Sequence, residues 1–319
     1  MTDATTIPTN ARRGPTLKTQ RVLALLLLIA QGGITVTGAT VRVTGSGLGC
    51  NTWPNCHEGS LVPVAGAAPA IHQAIEFGNR LLTFVLLALA IAVIWAVYKA
   101  GRRQELKTLA VVSLAGIFVQ AVIGGISVWL DLKWWAVALH FLPSMILVWI
   151  AAVLFARLPE PDDGVRRRAF SQGARIAALV SGVLLAVVLI TGTMTTGAGP
   201  HAGDDGVGME GRLEVNIDLM AHIHGWLMYA YLAAILITIW MLYRSRADKK
   251  ALRTGWALVA AIVVQAIIGI MQYRMGVPRW TVPIHIGMSS VVTCVTAFLW
   301  AHGVVRFPAA KHERESLAA

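Results

Sequence analysis

Histidine residues recur at matching places in two copies of one sequence pattern, and both copies lie in strongly apolar segments. Residues 119–124 read Val-Gln-Ala-Val-Ile-Gly and residues 264–269 read Val-Gln-Ala-Ile-Ile-Gly. In each copy a histidine follows the glutamine by 20 residues, at His140 and His285, and the offset of 145 residues maps Asn79 onto His224. A neutral imidazole inside a membrane needs a partner, and imidazole is a frequent metal ligand. The pattern predicts two equivalent pockets, one in each copy, that bind a metal-containing group.

The composition places the elements that carry these residues in a membrane. Of the 319 residues, 56% are hydrophobic and only 13% are charged, and the mean hydropathy is +0.65, which excludes a soluble globular protein. Apolar runs of about 20 residues, the length that crosses a bilayer, lie at about 21–43, 77–98, 107–129, 136–156, 176–195, 218–243, 255–273 and 283–304. We therefore predict an all-α integral membrane protein with eight transmembrane helices.

The basic residues indicate the orientation of these spans. Of the 27 Lys and Arg residues, 21 lie before the first span, after the last one, or in the loops that join spans two to three, four to five and six to seven. Because basic residues prefer the cytoplasmic side, both termini are expected in the cytoplasm. A cytoplasmic N-terminus without a long Arg/Ser-rich transit peptide favours a prokaryotic cell (plasma) membrane over a mitochondrial one. The net charge of +11 is thus a topology signal, and a nucleic-acid partner is not expected.

The duplication assigns four spans to each half of the chain. An even number of spans gives both copies the same orientation, so we predict two parallel-repeat four-helix bundles. The predicted boundaries are a cytoplasmic N-terminal tail at 1–20, an N-terminal half at 21–156, a cytoplasmic linker at 157–175, a C-terminal half at 176–305 and a cytoplasmic C-terminal tail at 306–319.

The four repeat-related residues share one predicted depth, within about two helical turns of the outer face. They are Asn79, His140, His224 and His285, on spans two, four, six and eight. Facing helices of a four-helix bundle commonly hold a bis-histidine haem. A structural hydrogen bond to a neighbouring helix is the alternative for any single histidine, but it does not explain a shared depth.

A motif in the first outer loop narrows the function. Residues 44–56 read Thr-Gly-Ser-Gly-Leu-Gly-Cys-Asn-Thr-Trp-Pro-Asn-Cys, and Glu76 precedes the ligand position Asn79 by three residues. With the histidines on spans four, six and eight, this pattern resembles the haem A synthase family over roughly residues 21–305. The resemblance implies a membrane oxidoreductase that oxidises the C8 methyl group of haem O to a formyl group, which makes haem A for aa3-type terminal oxidases.

The resemblance also implies roles for individual residues. His224 and His285 would hold the iron of a haem b, whereas Asn79 and His140 match the positions at which the N-terminal half receives haem O. Arg80 is expected either to hold a haem propionate or to extend to the membrane interface.

The residue at position 79 departs from the family pattern, in which many members have a histidine there. Asn is a poor iron ligand, so His140 would be the sole axial ligand of the N-terminal pocket, with an open sixth position. His72 is an alternative ligand, because residues 72, 76 and 79 share one helix face.

Glu76 matches a functionally important glutamate of the family. A carboxylate at a membrane boundary beside an apolar macrocycle is expected to have a raised pKa, which suits a proton acceptor during methyl oxidation. The alternative is a structural ion pair with Arg80, four residues further along the helix.

Two cysteines, Cys50 and Cys56, both fall in the predicted outer loop, where an oxidising compartment permits a disulfide. We expect them to pair, with a structural role favoured over redox transfer to the substrate. A zinc site that also uses His57 is a weaker alternative, because a clear fourth ligand is missing.

Two other functional classes compete with this interpretation. A dihaem b-type cytochrome that passes electrons between quinol and a partner would also carry paired histidines, but it would need neither Glu76 nor the cysteine loop. A transporter would place polar residues at the bilayer midplane rather than in the outer third. The expected partners are haem O, membrane lipid, haem O synthase (a farnesyl transferase) and an electron-transfer partner.

Overall fold

The computed structural model describes residues 14–202 and 211–308, so most of the two predicted tails and part of one predicted outer loop lie outside the described residues. In the described chain, eight helices are long and apolar enough to span a membrane. They are α1 (Leu17–Val43), α2 (Ala70–Lys99), α3 (Gln104–Trp129), α4 (Trp134–Arg157), α5 (Gln172–Ala198), α6 (Ile217–Arg244), α7 (Lys249–Arg274) and α8 (Thr281–Ala301). The predicted all-α membrane fold is confirmed. Which side of the membrane the termini occupy stays a prediction.

Polar side chains immediately before several helices determine where those helices begin. The Thr16 hydroxyl accepts a hydrogen bond from the backbone N–H of Thr19 at the start of α1. Ser171, Asn216 and Asp248 accept equivalent bonds at the starts of α5, α6 and α7. These caps satisfy N–H groups that have no partner within the helix.

Helix α2 begins at Ala70, well before the predicted span start at residue 77. Its first turns bind the preceding outer loop rather than lipid: the Gln73 amide donates to the carbonyl oxygens of Val64 and Ala68. The hydropathy pattern missed these turns because they bury polar side chains against protein.

The core consists of two large apolar clusters and a small one between them. Helices α1–α4 enclose the first cluster and helices α5–α8 the second. The third joins Leu28 of α1, Val148, Ala151 and Ala152 of α4, and Ala297 of α8. Small side chains let these three helices approach closely, and the hydroxyls of Thr35 and Ser290 share a hydrogen bond of 2.9 Å between α1 and α8. The residue boundaries predicted for the two halves stay a prediction.

A two-stranded antiparallel sheet, which the sequence analysis did not predict, lies at the end of the bundle where the described chain starts and ends. Strand β1 (Val165–Arg168) pairs with β2 (Val304–Phe307), with Arg166 opposite Arg306. Beside it, ion pairs connect four arginines to three acids. The arginines are Arg102, Arg103, Arg157 and Arg306, and the acids are Glu105, Glu160 and Asp162. The predicted linker and the segment after α8 are thereby fastened together.

Candidate functional site

The imidazole rings of His224 on α6 and His285 on α8 face each other. Their centroids lie 6.4 Å apart, with 63° between the ring planes. Two imidazoles on opposite sides of one metal ion, each with a metal–nitrogen bond of about 2 Å, have ring centroids about 6 Å apart. The two rings therefore have the spacing of a bis-histidine metal site, and the role of this pair as haem ligands stays a prediction.

Neighbouring helices hold each ring in position. The Nδ1 atom of His224 lies 3.1 Å from the carbonyl oxygen of Val188 and 3.3 Å from the Thr191 hydroxyl, both on α5. Gln265 on α7 donates from Nε2 to the carbonyl oxygen of His285 at 3.1 Å, and this amide nitrogen also lies 3.2 Å from His285 Nε2. Among the described residues, the buried Nδ1 atom of His285 has no hydrogen-bond partner. A buried ring nitrogen without a partner fits a group that a metal centre would complete.

Each of the three predicted ligand histidines lies against a glycine of an adjacent helix. A Cβ atom added to that glycine would come within 3.0 to 3.2 Å of the histidine Cε1 atom, tighter than ordinary van der Waals contact. The pairs are Gly124 with His140, Gly192 with His224 and Gly269 with His285. No sequence pattern marked Gly192 as a site residue. Gly124 and Gly269 had a usable signal, because each follows its glutamine by four residues in both copies of the repeat.

His140 on α4 is held as its repeat partner His285 is. Gln120 on α3 donates from Nε2 to the His140 carbonyl oxygen at 2.7 Å and also bonds the Ser144 hydroxyl. The buried Nδ1 atom of His140, like that of His285, has no partner in the part of the chain described.

Asn79 occupies the place on α2 that His224 occupies on α6. The Thr37 hydroxyl of α1 donates to Asn79 Oδ1 at 2.7 Å, just as Thr191 of α5 contacts His224. The hydroxyl oxygens of Thr37 and Thr191 each also lie 3.1 Å from the backbone carbonyl oxygen three residues earlier. Asn79 and His224 therefore have the same threonine contact from the preceding helix of their halves.

The first outer loop is closed by the predicted disulfide between Cys50 and Cys56, which is confirmed. The alternative of a zinc site on these cysteines is wrong, because both sulfurs are used in the bridge. His57 is occupied as well: its ring nitrogens lie 3.1 Å from Asn51 Oδ1 and 2.9 Å from Gln73 Oε1. Within the described residues, no group of three His, Cys, Asp or Glu side chains is arranged to hold a metal ion.

Glu76 is buried, with 5% of its surface exposed, beneath this loop. Its Oε2 atom accepts a hydrogen bond of 2.6 Å from the backbone N–H of Cys50, and its Oε1 atom pairs with the Arg80 guanidinium at 2.5 Å. The structural ion pair considered from the sequence is therefore present. It does not exclude a role in catalysis, which stays a prediction.

Arg80 binds the disulfide loop through its remaining donors. The guanidinium donates to the carbonyl oxygens of Cys50, Thr52 and Asn55 at 2.9 to 3.0 Å. The contact with a haem propionate that the family resemblance implies stays a prediction, and it would compete with these bonds.

The loop also packs onto the outer end of α3. The indole of Trp53 lies against Gly125, where any Cβ atom would overlap the ring, and its edge contacts Trp129 with ring centroids 5.8 Å apart. The disulfide loop is thereby seated on both α2 and α3 of the N-terminal half.

Two other histidines at this end of the bundle have different surroundings. His222 is exposed, and its Nδ1 atom lies 2.6 Å from the Asp218 carbonyl oxygen, so only His224 of this close pair faces His285. His201 donates from Nε2 to the Val277 carbonyl oxygen at 2.9 Å and offers its own carbonyl oxygen to Arg42. His201 thus links outer segments.

Comparison with known proteins assigns the chain to a family. The family model COX15-CtaA, described as cytochrome oxidase assembly protein, matches residues 21–297. The chain belongs to this family.

Relatives with the name "Heme A synthase" match most of this COX15-CtaA member. The protein of Bacillus licheniformis is 28% identical over 268 residues, which are 79% of this chain and 85% of the relative. That of Bacillus cereus is 28% identical over 260 residues, 77% of this chain and 79% of the relative. That of Bacillus pumilus is 25% identical over 274 residues, 79% of this chain and 84% of the relative.

The donor set of this COX15-CtaA member fits a haem better than a bare metal ion. Two imidazoles supply the axial positions of a haem iron, and the porphyrin supplies the other four. A bare ion would need further protein ligands, which the described residues do not provide around His224 and His285.

Proposed function

We propose that this chain is a haem A synthase, a membrane oxidoreductase that converts the C8 methyl group of haem O to the formyl group of haem A. The reaction adds one oxygen atom to the methyl carbon and removes two of its hydrogen atoms, which is a four-electron oxidation. With water as the oxygen source, it releases four protons and four electrons, and the electrons pass to the electron-transfer partner. Membership of the COX15-CtaA family and the names of the relatives support this function. The observation that carries it in the structure is the facing pair His224 and His285 at 6.4 Å, within a chain of that family.

In this proposal each half has one haem-related site. His224 and His285 would hold a haem b, and the N-terminal pocket with His140 and Asn79 would receive haem O. A bound haem supplies redox chemistry that protein side chains lack. The protein's own contribution is to orient the His285 and His224 rings through Gln265 and Thr191, to hold the His140 backbone through Gln120, and to leave room for the rings at the glycines.

Glu76 is proposed as the proton acceptor for the oxidation of the methyl group. A proton taken up at Oε1 would neutralise the carboxylate and weaken its bond to Arg80. Because Arg80 also holds the carbonyl oxygens of the disulfide loop, protonation of Glu76 would loosen the loop that covers it. The position of the disulfide loop would then depend on the charge of Glu76, with Arg80 as the link between them.

The remaining assignments belong to the same proposal. The Cys50–Cys56 bridge has a structural role, because it fixes the backbone whose N–H binds Glu76. Haem O synthase is the proposed donor of the substrate, and an electron-transfer partner accepts the electrons. The dihaem cytochrome alternative gains no support, since it gives no role to Glu76 or to this loop.

A bacterial strain that makes haem O and an aa3-type oxidase, but lacks its own haem A synthase, provides the test. Expression of the chain should restore the absorption band of the haem A-containing oxidase, whereas the His285→Ala variant should restore little of it. Membranes that contain the wild-type chain with bound haem, but only haem O in the oxidase, would contradict the proposal.

A further inference from the structure

The space beside one glycine of the two pockets is open, whereas a histidine ring fills the space beside its three counterparts. Gly38 on α1 corresponds to Gly192 on α5, because each directly follows the threonine that contacts the residue at the ligand position. At Gly192 an added Cβ would lie 3.1 Å from the His224 ring, whereas at Gly38 no described atom outside its own helix lies within 4 Å. The space that a histidine ring fills in the C-terminal pocket is therefore open in the N-terminal pocket.

Resting on the proposed function, we infer that the N-terminal pocket is a single-histidine haem site whose second axial face, lined by Thr37, Gly38 and Asn79, binds a small external iron ligand. The ligand is a lone-pair donor no larger than an imidazole ring, because an imidazole ring fills the equivalent space at Gly192. His140 is the protein ligand. The C-terminal pocket, with two facing histidines, has no such free face.

The polar lining suits a bound ligand. The Thr37 hydroxyl donates to Asn79 Oδ1 at 2.7 Å, which leaves the amide Nδ2 of Asn79 as the donor group of that side chain. An amide donor next to a small ligand stabilises it by a hydrogen bond without binding the iron. His140, the repeat counterpart of His285, keeps a buried ring nitrogen without a partner among the described residues.

His72 does not fill the open face. It lies seven residues before Asn79 on α2, which places its backbone about 10 Å further toward the outer end of the helix. Glu76 lies between them on the same face and is bonded to the backbone of Cys50. A ligand from His72 would have to displace this contact.

The test uses the ferric protein purified from cells that make haem b and haem O, with imidazole and cyanide as probes. Absorption and electron paramagnetic resonance spectra should show a high-spin fraction of roughly half of the haem, which either probe converts to low spin. The Asn79→His variant should lose both the high-spin fraction and the response to the probes. The matched variant His224→Asn recreates the Asn79 arrangement beside Thr191 and Gly192, so it should raise the high-spin fraction to nearly all of the haem.

Wild-type protein with haem in both halves that is wholly low-spin and unresponsive to imidazole would overturn the inference. It would also fail if His140→Ala did not reduce the haem content, since the N-terminal pocket would then hold no haem. In the first case the proposed function would stand. In the second, the assignment of haem O to the N-terminal pocket would fail as well, and formation of haem A by the wild type would decide whether the proposed function stands. Absence of haem from both halves would instead contradict the proposed function itself.

Discussion

At the scale of single residues, the sequence marked the candidate ligand histidines more clearly than the side chains that contact them. His140, His224 and His285 stand out because an ionisable ring in an apolar repeat is rare. The threonines Thr37 and Thr191 do not stand out, because hydroxyls are common in membrane helices and their role depends on which helix is adjacent. The pairing of Cys50 with Cys56 was predictable from their loop, but the bond from Cys50 to Glu76 was not.

Replacement of Glu76 tests the proposed proton acceptor. We expect Glu76→Gln to slow the conversion of haem O at least about 100-fold, because general-base catalysis contributes on that order. Haem b should remain bound, since Glu76 lies on α2 in the N-terminal half, whereas His224 and His285 lie on α6 and α8 in the C-terminal half. The measurement is the ratio of haem A to haem O extracted from membranes.

Glu58→Gln is the matched control, because Glu58 is an exposed acid of the same outer loop and should leave the ratio unchanged. Equal ratios in the wild type and in Glu76→Gln would show that Glu76 has only the structural role of holding Arg80 and the loop.

At the scale of helices and loops, apolar length located all eight spans, whereas polar contacts with protein moved their ends. Helix α2 continues outward to Ala70 because Gln73 binds the loop there. Strands β1 and β2 were not predicted, since four residues with three arginines give no strand pattern and pairing occurs only when the two segments meet. The repeat contains the glycines opposite His140 and His285, but no sequence pattern marked Gly192, whose contact with His224 depends on how α5 and α6 pack.

Replacement of Gly192 on α5 tests the position of the His224 ring. Gly192→Val should displace the His224 ring and remove most of the low-spin haem from the C-terminal half, because the added side chain meets the ring. Gly182→Val on the same helix α5 should have little effect, since no described atom outside the helix lies within 4 Å of its Cβ position. The measurement is the low-spin haem absorbance per mole of protein in the two variants. Equal losses in Gly192→Val and Gly182→Val would contradict the proposed position of the His224 ring.

His302, the residue after α8, is expected to make the stability of the protein depend on pH. Burial, with a smaller effect of Lys250 that Asp248 opposes, lowers the pKa of His302 from its usual 6.5 to about 4. The folded state then binds fewer protons than the unfolded state, so this contribution to stability is present above pH 6.5 and is lost as the pH falls toward 4.

We expect the thermal midpoint in detergent to fall over this pH range, and His302→Gln to reduce the fall by about 2–4 °C. Thermal denaturation of both proteins at several pH values measures the difference. Parallel curves for the two proteins would exclude His302 as the titrating group.

At the scale of the whole molecule, the repeat predicted two similar bundles but not how they meet. The contact involves α1, α4 and α8 through a small apolar cluster that includes three alanines, and through Ser290, whose hydroxyl bonds both the Thr35 hydroxyl and the Met145 sulfur. Apolar and small side chains look the same in a sequence whether they face lipid or another helix. The ion pairs beside the sheet were not predicted, because the arginines that form them were interpreted as a signal of membrane topology.

Glu105 is central to those ion pairs, because it contacts Arg103, Arg157 and Arg306. We expect Glu105→Gln to destabilise the protein by up to about 3 kcal/mol, since the buried guanidiniums lose a partner. Asp163→Asn, an exposed acid of the nearby linker, is the control and should be neutral. Thermal unfolding in detergent compares them, and an unchanged midpoint in Glu105→Gln would show that the network adds no stability.

The most direct measurement is mass analysis of the haems extracted from membranes that contain this chain together with a supply of haem O. We expect haem A in the wild type, and haem O without haem A in the Glu76→Ala variant. Unconverted haem O in the wild type, beside bound haem b, would contradict the proposed function and favour a cytochrome that only transfers electrons.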